Sequence, residues 1–280
     1  MEAIQSLSAM QVWSDRCHKD NQSIGFVPTM GYLHEGHLSL VRQAKAKSQK
    51  VVTSIFVNPL QFSPSEDLSQ YPQDLRRDFS LLEKEGVDCV FVPNVKALYP
   101  QDFQSKVHVT ELSKNLCGAS RLGHFEGVAT IVLKLFQIVN PTFSFLGEKD
   151  FQQIRVIEQM VQDFHLRTKI IRAPIVREPD GLAMSSRNKY LTADERERAS
   201  ILYKSLMQAK AQYQAGESST SKIIDATRSL IQTVRPTKID YIQICDANTL
   251  EDMLQVNKDS RLFLAVYFGH ARLIDNSELI

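Results

Sequence analysis

The chain has 280 residues, enough for about two domains at roughly 150 residues each, and each could bury a core of its own. Its 33 lysines and arginines nearly balance 32 aspartates and glutamates, and 43% of its residues are hydrophobic. This composition is typical of a soluble globular protein. The net charge of +1 gives no indication of a nucleic-acid-binding surface.

The four cysteines (Cys17, Cys89, Cys117 and Cys245) are spread along the chain without a CxxC or CxxxC pair. We therefore expect free thiols in a reducing compartment. The first 20 residues lack a basic segment followed by an apolar one, and no window of 18 apolar residues follows. These patterns predict a cytoplasmic protein with no membrane contact.

Short β-branched runs alternate with amphipathic segments through the first 175 residues. This alternation predicts βαβ units and a mostly parallel sheet. The predicted strands are 23–27, 51–57, 88–92, 142–146 and 169–174. The predicted helices are 37–48, 72–85, 127–139 and 151–164. The helix at 127–139 is apolar on most of its circumference, as expected of a helix packed against a sheet.

The segment REPDGLAMSSRN at 177–188 interrupts this pattern and is interpreted as a domain junction. After it, the pattern predicts helices at 192–214 and 221–234, separated by a turn that contains Gly216. Strands are predicted at 239–244, 261–268 and 271–274. The expected fold is therefore an α/β domain followed by a smaller α+β domain.

The segment FVPTMGYLHEGHLSLVRQAK predicts a strand, a tight turn and a helix that begins near His37. Gly31 and Gly36 have the spacing of a phosphate-binding P-loop, but His37 and Leu38 occupy the positions of its Lys and Ser or Thr, which excludes that motif. A helix N-terminus still offers backbone N–H groups and a positive dipole end to an anion. On the first helical turn, His34 and His37 would face one side and could donate to phosphate oxygens.

Two other interpretations of this histidine pair are a zinc site and incidental surface residues. Structural zinc takes four ligands and catalytic zinc usually three. The sequence has no Cys or His cluster nearby that could complete either set. Zinc is therefore disfavoured, and the anion site is the working hypothesis.

Two further segments contain cations at the expected ligand edge of the sheet. Lys149 and Asp150 follow the predicted strand 142–146, where α/β sheets bind ligands. Asp150 could equally serve as an N-cap for the next helix. In AMSSRN at 183–188, Arg187 and two serines offer donors for phosphate, and the segment could equally be a linker or a lid.

Uncharged amides follow the second predicted strand, in FVNPLQF. Asn58 and Gln61 could bind a hydroxyl or a carboxylate there. Asn58-Pro59 is also a common start of a turn, so both interpretations stay open.

Six segments together resemble the pantothenate synthetase family in order and spacing: PTMGYLHEGH, FVNPLQF, EDLSQYPQDLRRD, GASRLGHFEGVAT, FLGEKDFQQ and REPDGLAMSSRN. The resemblance implies a Rossmann-like ATP- and pantoate-binding domain at 1–176. It also implies a hinge with a nucleotide loop at 177–188 and a C-terminal lid domain at 189–280, in a homodimer. HEGH is similar to the HIGH signature of class I aminoacyl-tRNA synthetases and nucleotidyltransferases.

The resemblance also implies roles for individual residues by matching position. Those expected to contact ATP are Met30, Gly31, Tyr32, Leu33, His34, Glu35, Gly36, His37, Gly147, Glu148, Lys149, Asp150, Val176, Met184, Ser185, Ser186 and Arg187. Those expected near pantoate or β-alanine are Gln61, Gln153, Asn58 and Arg121. MSSRN occupies the place of the KMSKS loop of the HIGH-motif superfamily, but Ala183 replaces the first lysine of that loop and Ser186 the second, with Arg187 one position on. The sequence also departs from many relatives at Tyr32 and Leu146.

The implied reaction is the ATP-dependent ligation of (R)-pantoate to β-alanine through a pantoyl-adenylate, in vitamin B5 and coenzyme A biosynthesis. The expected catalytic residues are His37, His34, Lys149 and Arg187. ATP would arrive with Mg²⁺, whose protein ligand the sequence does not identify, and no prosthetic group is expected. The expected partners are small molecules and a second copy of the chain.

Two alternatives remain open at this point. One is another HIGH-motif nucleotidyltransferase, which Gln61 and Gln153 disfavour because a pocket for a phosphorylated acceptor needs more positive charge. The other is a non-catalytic nucleotide sensor, which measured turnover would exclude.

Overall fold

The structure, a computed structural model, describes residues 1–64 and 66–280. Its residues divide into two units. The first comprises Met1–Thr110, Arg121–Glu148 and Gln153–Pro174. The second comprises Glu111–Ser120, Lys149–Gln152 and Ile175–Ile280.

The first unit is built on a six-stranded parallel sheet with strand order β1-β4-β3-β2-β5-β6. The strands are β1 (Glu2–Ile4), β2 (Ile24–Thr29), β3 (Lys50–Ile55), β4 (Cys89–Phe91), β5 (Phe143–Gly147) and β6 (Lys169–Ala173). The five predicted strands are confirmed to within two residues at each end. Strand β1 was not predicted because three residues are too few to show an alternating pattern.

Helices of this unit follow or cover the strands. They are α1 (Leu7–Lys19), α2 (Glu35–Lys47), α3 (Leu75–Lys84), α4 (Val95–Leu98), α6 (His124–Val139) and most of α7 (Phe151–Asp163). Helix α6 is buried along most of its length, and its Phe136 meets Phe26 of β2 edge to face at 6.3 Å. This contact confirms that the apolar segment at 127–139 packs against the sheet. Buried side chains of the opposite layer include Val27, Val41, Ala44, Val90 and Phe145.

The second unit contains a three-stranded antiparallel sheet, β7 (Lys238–Asp246), β8 (Ser260–Phe268) and β9 (Ala271–Glu278). Its helices are α5 (Cys117–Ser120), α8 (Ala193–Ala199), α9 (Ile201–Gln214) and α10 (Thr220–Gln232). Leu202, Leu206, Ile223, Leu262 and Leu264 are among the side chains that form its core. The fold is therefore α/β with a parallel sheet plus a smaller α+β part, as predicted.

Two details of the second unit differ from the prediction. The helix expected at 192–214 is divided at Ser200, whose hydroxyl donates to the carbonyl of Glu197. Strand β9 extends four residues past the predicted end, because Asp275 and Asn276 are buried with polar partners. Within the described part of the chain, none of the helices combines the length and apolar character needed to cross a membrane.

Candidate functional site

The strand order of the first unit locates its ligand edge. From β2 the chain proceeds through β3 to β4 on one side, and β5 pairs with the other side of β2. The crossover places a topological switch point between β2 and β5. Open parallel sheets bind ligands beyond the carboxyl ends of the strands at such a point. The loop that follows β2 is therefore the first place to look for a site.

The loop after β2 is held in an unusual backbone conformation. Gly31 and Tyr32 both have positive φ angles, +85° and +51°. The buried Asp78 of α3 accepts from the N–H of Tyr32 at 2.7 Å and from that of Leu33 at 2.8 Å. Arg77 donates to the carbonyl of Leu33 at 2.8 Å. Burial raises the pKa of Asp78 although both N–H bonds oppose the rise. Helix α3 therefore fixes the loop that leads into α2.

His34 and His37 lie side by side at the N-terminus of α2. His34 is the N-cap residue, and the two ring centroids are 4.1 Å apart. The N–H of His34 lies 3.4 Å from Nδ1 of His37. Because a main-chain N–H donates, Nδ1 of His37 accepts, and the proton of the neutral ring is on Nε2. The pair thus offers imidazole donors beside the positive end of a helix dipole.

Glu35 does not place an unbalanced negative charge in this first turn. Its carboxylate pairs with Arg42, which also contacts Glu85 at 2.6 Å. The hydrogen bonds that Arg42 donates to these two carboxylates raise its pKa. Among the residues that the structure describes, no three His, Cys, Asp or Glu side chains converge as a metal site would require. The arrangement suits an anion better than zinc.

Gln61 is placed beside this loop by a 3₁₀ helix, Pro59–Gln61, with Asn58 as its N-cap. Its Nε2 lies 3.1 Å from the Met30 sulfur, and its Oε1 accepts from Asn58 Nδ2 at 3.1 Å. Asn58 is buried and also donates to the carbonyl of Gly127 at 3.1 Å. The structure therefore brings together Met30, Asn58 and Gln61, which the sequence had assigned to adjacent sites.

Arg121 supports the backbone of Gln61 rather than standing as an isolated cation. Its Nε and Nη2 donate to the two oxygens of Glu66 at 2.6 and 3.0 Å. Its Nη1 lies 2.8 Å from Nε2 of His124, whose Nδ1 lies 2.8 Å from the carbonyl of Gln61. Since Arg121 donates to Nε2, the neutral His124 carries its proton on Nδ1 and donates it to Gln61. Burial opposes ionisation of Glu66, but the bond and charge of Arg121 outweigh it and lower the pKa.

In the second unit, Lys149 lies in a 3₁₀ turn, Glu148–Asp150, directly before α7. Its Nζ is 3.4 Å from both carboxylate oxygens of Asp150. Asn276 of β9 donates to the Lys149 carbonyl at 3.0 Å and is itself held by Arg261. The backbone of Lys149 is thus fixed by the antiparallel sheet, whereas its ammonium group pairs with an adjacent carboxylate.

The segment 177–188 is more ordered than a simple linker. The N–H of Met184 donates to the carbonyl of Val176 at 3.0 Å, and a β-bridge joins Arg177 to Ala183. The turn between them ends at Gly181, which has φ +93°, as a Pro-Asp-Gly turn favours. A 3₁₀ helix, Ser186–Tyr190, follows. The N–H of Arg187 donates to the hydroxyl of its N-cap, Ser185, at 3.3 Å.

Three other predicted site residues lie at the ends of regular elements. Gln153 is half-buried in the first turn of α7. Gly147 ends β5, and among the described residues other than its chain neighbours no atom lies within 4 Å of the place where a Cβ would stand. Gly36 lies between the two histidines in α2.

Sequence reasoning missed the roles of Asp78, Glu66 and His124. All three belong to segments already noted for their family pattern, EDLSQYPQDLRRD and GASRLGHFEGVAT. The patterns identified these segments as important, but the contacts that join these residues to Leu33, Arg121 and Gln61 span 45, 55 and 63 positions along the chain.

Comparisons with known proteins show the family of this chain. Residues 2–278 match the family model described as pantoate-beta-alanine ligase. A pantothenate synthetase from Thermotoga neapolitana is 51% identical over 279 residues, which cover 100% of both chains. The crystal structure of pantothenate synthetase from Thermus thermophilus matches with a TM-score of 0.95 at 41% identity, covering 100% of this chain and 99% of that one. Pantoate-beta-alanine ligase from Francisella tularensis, complexed with beta-gamma ATP and beta-alanine, matches with a TM-score of 0.83 at 38% identity, covering 100% and 98%.

Proposed function

The chain belongs to the pantoate–beta-alanine ligase family and is an enzyme that joins pantoate to β-alanine in pantothenate biosynthesis; we propose that it does so through an enzyme-bound pantoyl-adenylate formed from ATP. A carboxylate is a poor acyl donor because its leaving group would be an oxide ion. Attack of the carboxylate on the α-phosphorus of ATP releases pyrophosphate and creates a mixed anhydride with AMP, in which AMP is a good leaving group. The amine of β-alanine then attacks the activated carbonyl and releases AMP.

One observation supports this proposal above the others: the Gln61 amide lies 3.1 Å from the sulfur of Met30. Met30 is the first residue of the loop 30–34 between β2 and α2, which is called the histidine loop because it ends at His34. An amide suited to a hydroxy acid therefore adjoins a helix N-terminus suited to phosphate. Adenylation requires the carboxylate of the acid to meet the α-phosphate of ATP, because a carboxylate oxygen attacks the α-phosphorus. Holding both reactants in line is worth up to ~7–11 kcal/mol of the barrier.

His34 and His37 are proposed to stabilise charge that develops on the phosphoryl oxygens. Removal of one hydrogen-bond donor that is already in place at such a position raises the activation barrier by roughly 2.7–4 kcal/mol. His37 would use its Nε2 proton, since Nδ1 faces the N–H of His34. It could act as a proton donor or through its hydrogen bond alone.

Lys149 and Arg187 are proposed as the cations that neutralise the triphosphate. Lys149 has a fixed backbone and a side chain that pairs with Asp150 at 3.4 Å, a distance long enough for phosphate to compete. Arg187 follows Ser185 and Ser186 at the start of a 3₁₀ helix, where hydroxyls and a guanidinium share one short segment. Gln153 and Gln61 are proposed to orient pantoate.

Magnesium is proposed to enter with ATP as part of the substrate. Mg²⁺ keeps several waters and binds chiefly through phosphate oxygens, so it needs few protein ligands. The described residues offer no converging group of three acidic or imidazole ligands, which fits an ion carried by the nucleotide.

We also propose that the enzyme is a cytoplasmic homodimer with an ATP- and pantoate-binding domain at 1–176, a hinge at 177–188 and a lid domain at 189–280. The four free, buried cysteines are compatible with a reducing compartment. Sedimentation velocity would test the dimer, and cell fractionation would test the location.

The deciding experiment is isotope exchange between pyrophosphate and ATP, with pantoate present and β-alanine withheld. Reversible adenylation gives exchange that depends on pantoate and needs no amine. A different nucleotidyltransferase would show no exchange with pantoate. Failure of pantoate to support exchange, in protein shown to bind ATP, would refute the adenylate pathway.

A further inference from the structure

The Tyr99 hydroxyl contacts Asn58, although Tyr99 belongs to no segment considered so far. It follows the short helix α4, and its OH lies 2.8 Å from Oδ1 of Asn58. The ring is held by Phe56, with centroids 6.3 Å apart, and by Phe103, with centroids 5.1 Å apart. The Lys134 ammonium group lies 5.6 Å from the Tyr99 ring and 4.4 Å from that of Phe103. These contacts position the ring independently of its hydroxyl.

The direction of the Tyr99–Asn58 hydrogen bond follows from the neighbours of the Asn58 amide. The N–H of Leu60 lies 3.4 Å from Oδ1, which identifies Oδ1 as the acceptor. Nδ2 lies 3.1 Å from the carbonyl of Gly127, which can only accept. Tyr99 must therefore donate to Asn58. Burial raises the pKa of Tyr99, so its hydroxyl keeps the proton it donates at neutral pH.

The same logic extends from Asn58 to Gln61. The second N–H of Asn58 Nδ2 faces a Gln61 side-chain atom at 3.1 Å, and a donor there requires that this atom be the amide oxygen. The NH₂ group of Gln61 consequently faces the Met30 sulfur at 3.1 Å. A thioether is a weak acceptor, so an oxygen of a bound acid would replace it with a gain in hydrogen-bond strength.

We propose that Tyr99 is a positioning residue for the acid substrate: its hydroxyl orients Asn58, and Asn58 orients Gln61 so that the Gln61 NH₂ group donates to a hydroxyl or carboxylate oxygen of the acid. This inference rests on the proposed function, because it takes pantoate as the acid. Without the hydroxyl, Asn58 keeps the 3.4 Å contact with Leu60 and the bond of its Nδ2 to the Gly127 carbonyl, but it loses the shortest of its hydrogen bonds, at 2.8 Å, so its amide and that of Gln61 are held less firmly.

The first test is Tyr99→Phe, which removes the hydroxyl and keeps the ring. We expect the KM for pantoate to rise about fivefold to tenfold, the usual effect of losing one neutral hydrogen bond. The kcat and the KM for ATP should change by less than about twofold, since an interaction made equally in the ground and transition states affects KM alone. The matched control is Tyr213→Phe, which alters a half-buried tyrosine at the core of the second unit. It should leave all three constants unchanged.

A double-mutant cycle separates the relay from a general structural role. In a Gln61→Ala background, Tyr99→Phe should change the pantoate KM by less than about twofold, because the group that Tyr99 positions is gone. A fivefold or larger effect that persists there would overturn the proposal. So would equal losses for pantoate and ATP in the single variant.

Asn58→Asp is a second test of the relay, made on protein whose urea unfolding shows a folded state because the new carboxylate loses the bond to the Gly127 carbonyl. The carboxylate accepts from Gln61 and turns its NH₂ group away from the acid, so the pantoate KM should rise more than about tenfold with the ATP KM unchanged. An unchanged pantoate KM would refute the relay. Pantoate-dependent exchange in the wild-type enzyme tests the proposed function separately, because it does not depend on any variant.

Discussion

Replacing Gly127 with alanine should displace Gln61 and thereby impair use of the acid substrate. A Cβ at residue 127 would stand 2.3 Å from the Leu60 carbonyl oxygen and 2.6 Å from the Gln61 backbone nitrogen. The 3₁₀ turn would have to retreat by about 1.1 Å to reach an ordinary contact of 3.4 Å. A misplacement of this size costs on the order of 100-fold in rate. We therefore expect kcat/KM for pantoate to fall about 100-fold.

The loss caused by Gly127→Ala should affect the use of pantoate and not the binding of ATP. ATP binding, measured by calorimetry, should be unchanged because the clash involves the turn of Gln61 and not the histidine loop. In Gly127→Ala, overpacking should lower the free energy of unfolding by about 1–3 kcal/mol. The replacement of a helical glycine by alanine should raise it by up to about 1 kcal/mol. Gly216→Ala is the control, since it adds strain at φ +99° with no atom within 4 Å. If Gly127→Ala keeps full pantoate kcat/KM, or if Gly216→Ala loses it as well, the reasoning is wrong.

Three further predictions address the proposed ATP contacts of the site and two of its supports. His37→Ala and Lys149→Ala should each slow pantoate-dependent exchange by about 100-fold or more, and near-normal rates in both would contradict their proposed roles. Asp78→Asn should lower the free energy of unfolding in urea by about 1–3 kcal/mol, because the amide can accept from only one of the two loop N–H groups. The Glu66–Arg121 pair lowers the pKa of Glu66 in the folded protein. The stabilisation of the folded state by this pair is therefore present above pH 4.5, the pKa of an unperturbed Glu, and is lost as the pH falls through the folded-state pKa. Glu66→Gln should therefore cost about 1–2 kcal/mol at neutral pH and progressively less in acid; a cost that does not change with pH would contradict this.

The alternation of short apolar runs and amphipathic segments was enough to predict the fold class. It located five of the six parallel strands, because buried strands in α/β sheets are continuous β-branched runs. Helix α1 was missed although Met10, Trp13 and Cys17 recur at helical spacing, since polar residues between them dilute the pattern. The break at Ser200 could not be predicted, because serine and alanine are compatible with a continuous helix at that point.

The sequence proposed candidate contacting residues for the site but not the residues that support them. Glycine spacing, paired histidines and strand ends are local signals, so they single out His34, His37 and Gln61 as candidates, and their contacts with substrate stay a prediction. Asp78 and His124 act through partners far away in the chain, at Tyr32 and Gln61 respectively. Local patterns contain no information about such pairs, and only the fold reveals that they meet.

The charge around Gln61 bears on which acceptor the site can use. Arg121 approaches the Gln61 carbonyl at 3.4 Å, yet its guanidinium is bound by both oxygens of Glu66. Asn58 is a neutral amide, and His124 is held as a neutral donor by its two partners. A phosphorylated acceptor would need unpaired positive charge here to offset its desolvation. An acceptor with hydroxyls and one carboxylate needs an oriented amide donor, which under the proposed relay is the NH₂ group of Gln61 held by Asn58, so the neutral surroundings of Gln61 favour a hydroxy acid over the phosphate or sugar-phosphate acceptor of another nucleotidyltransferase.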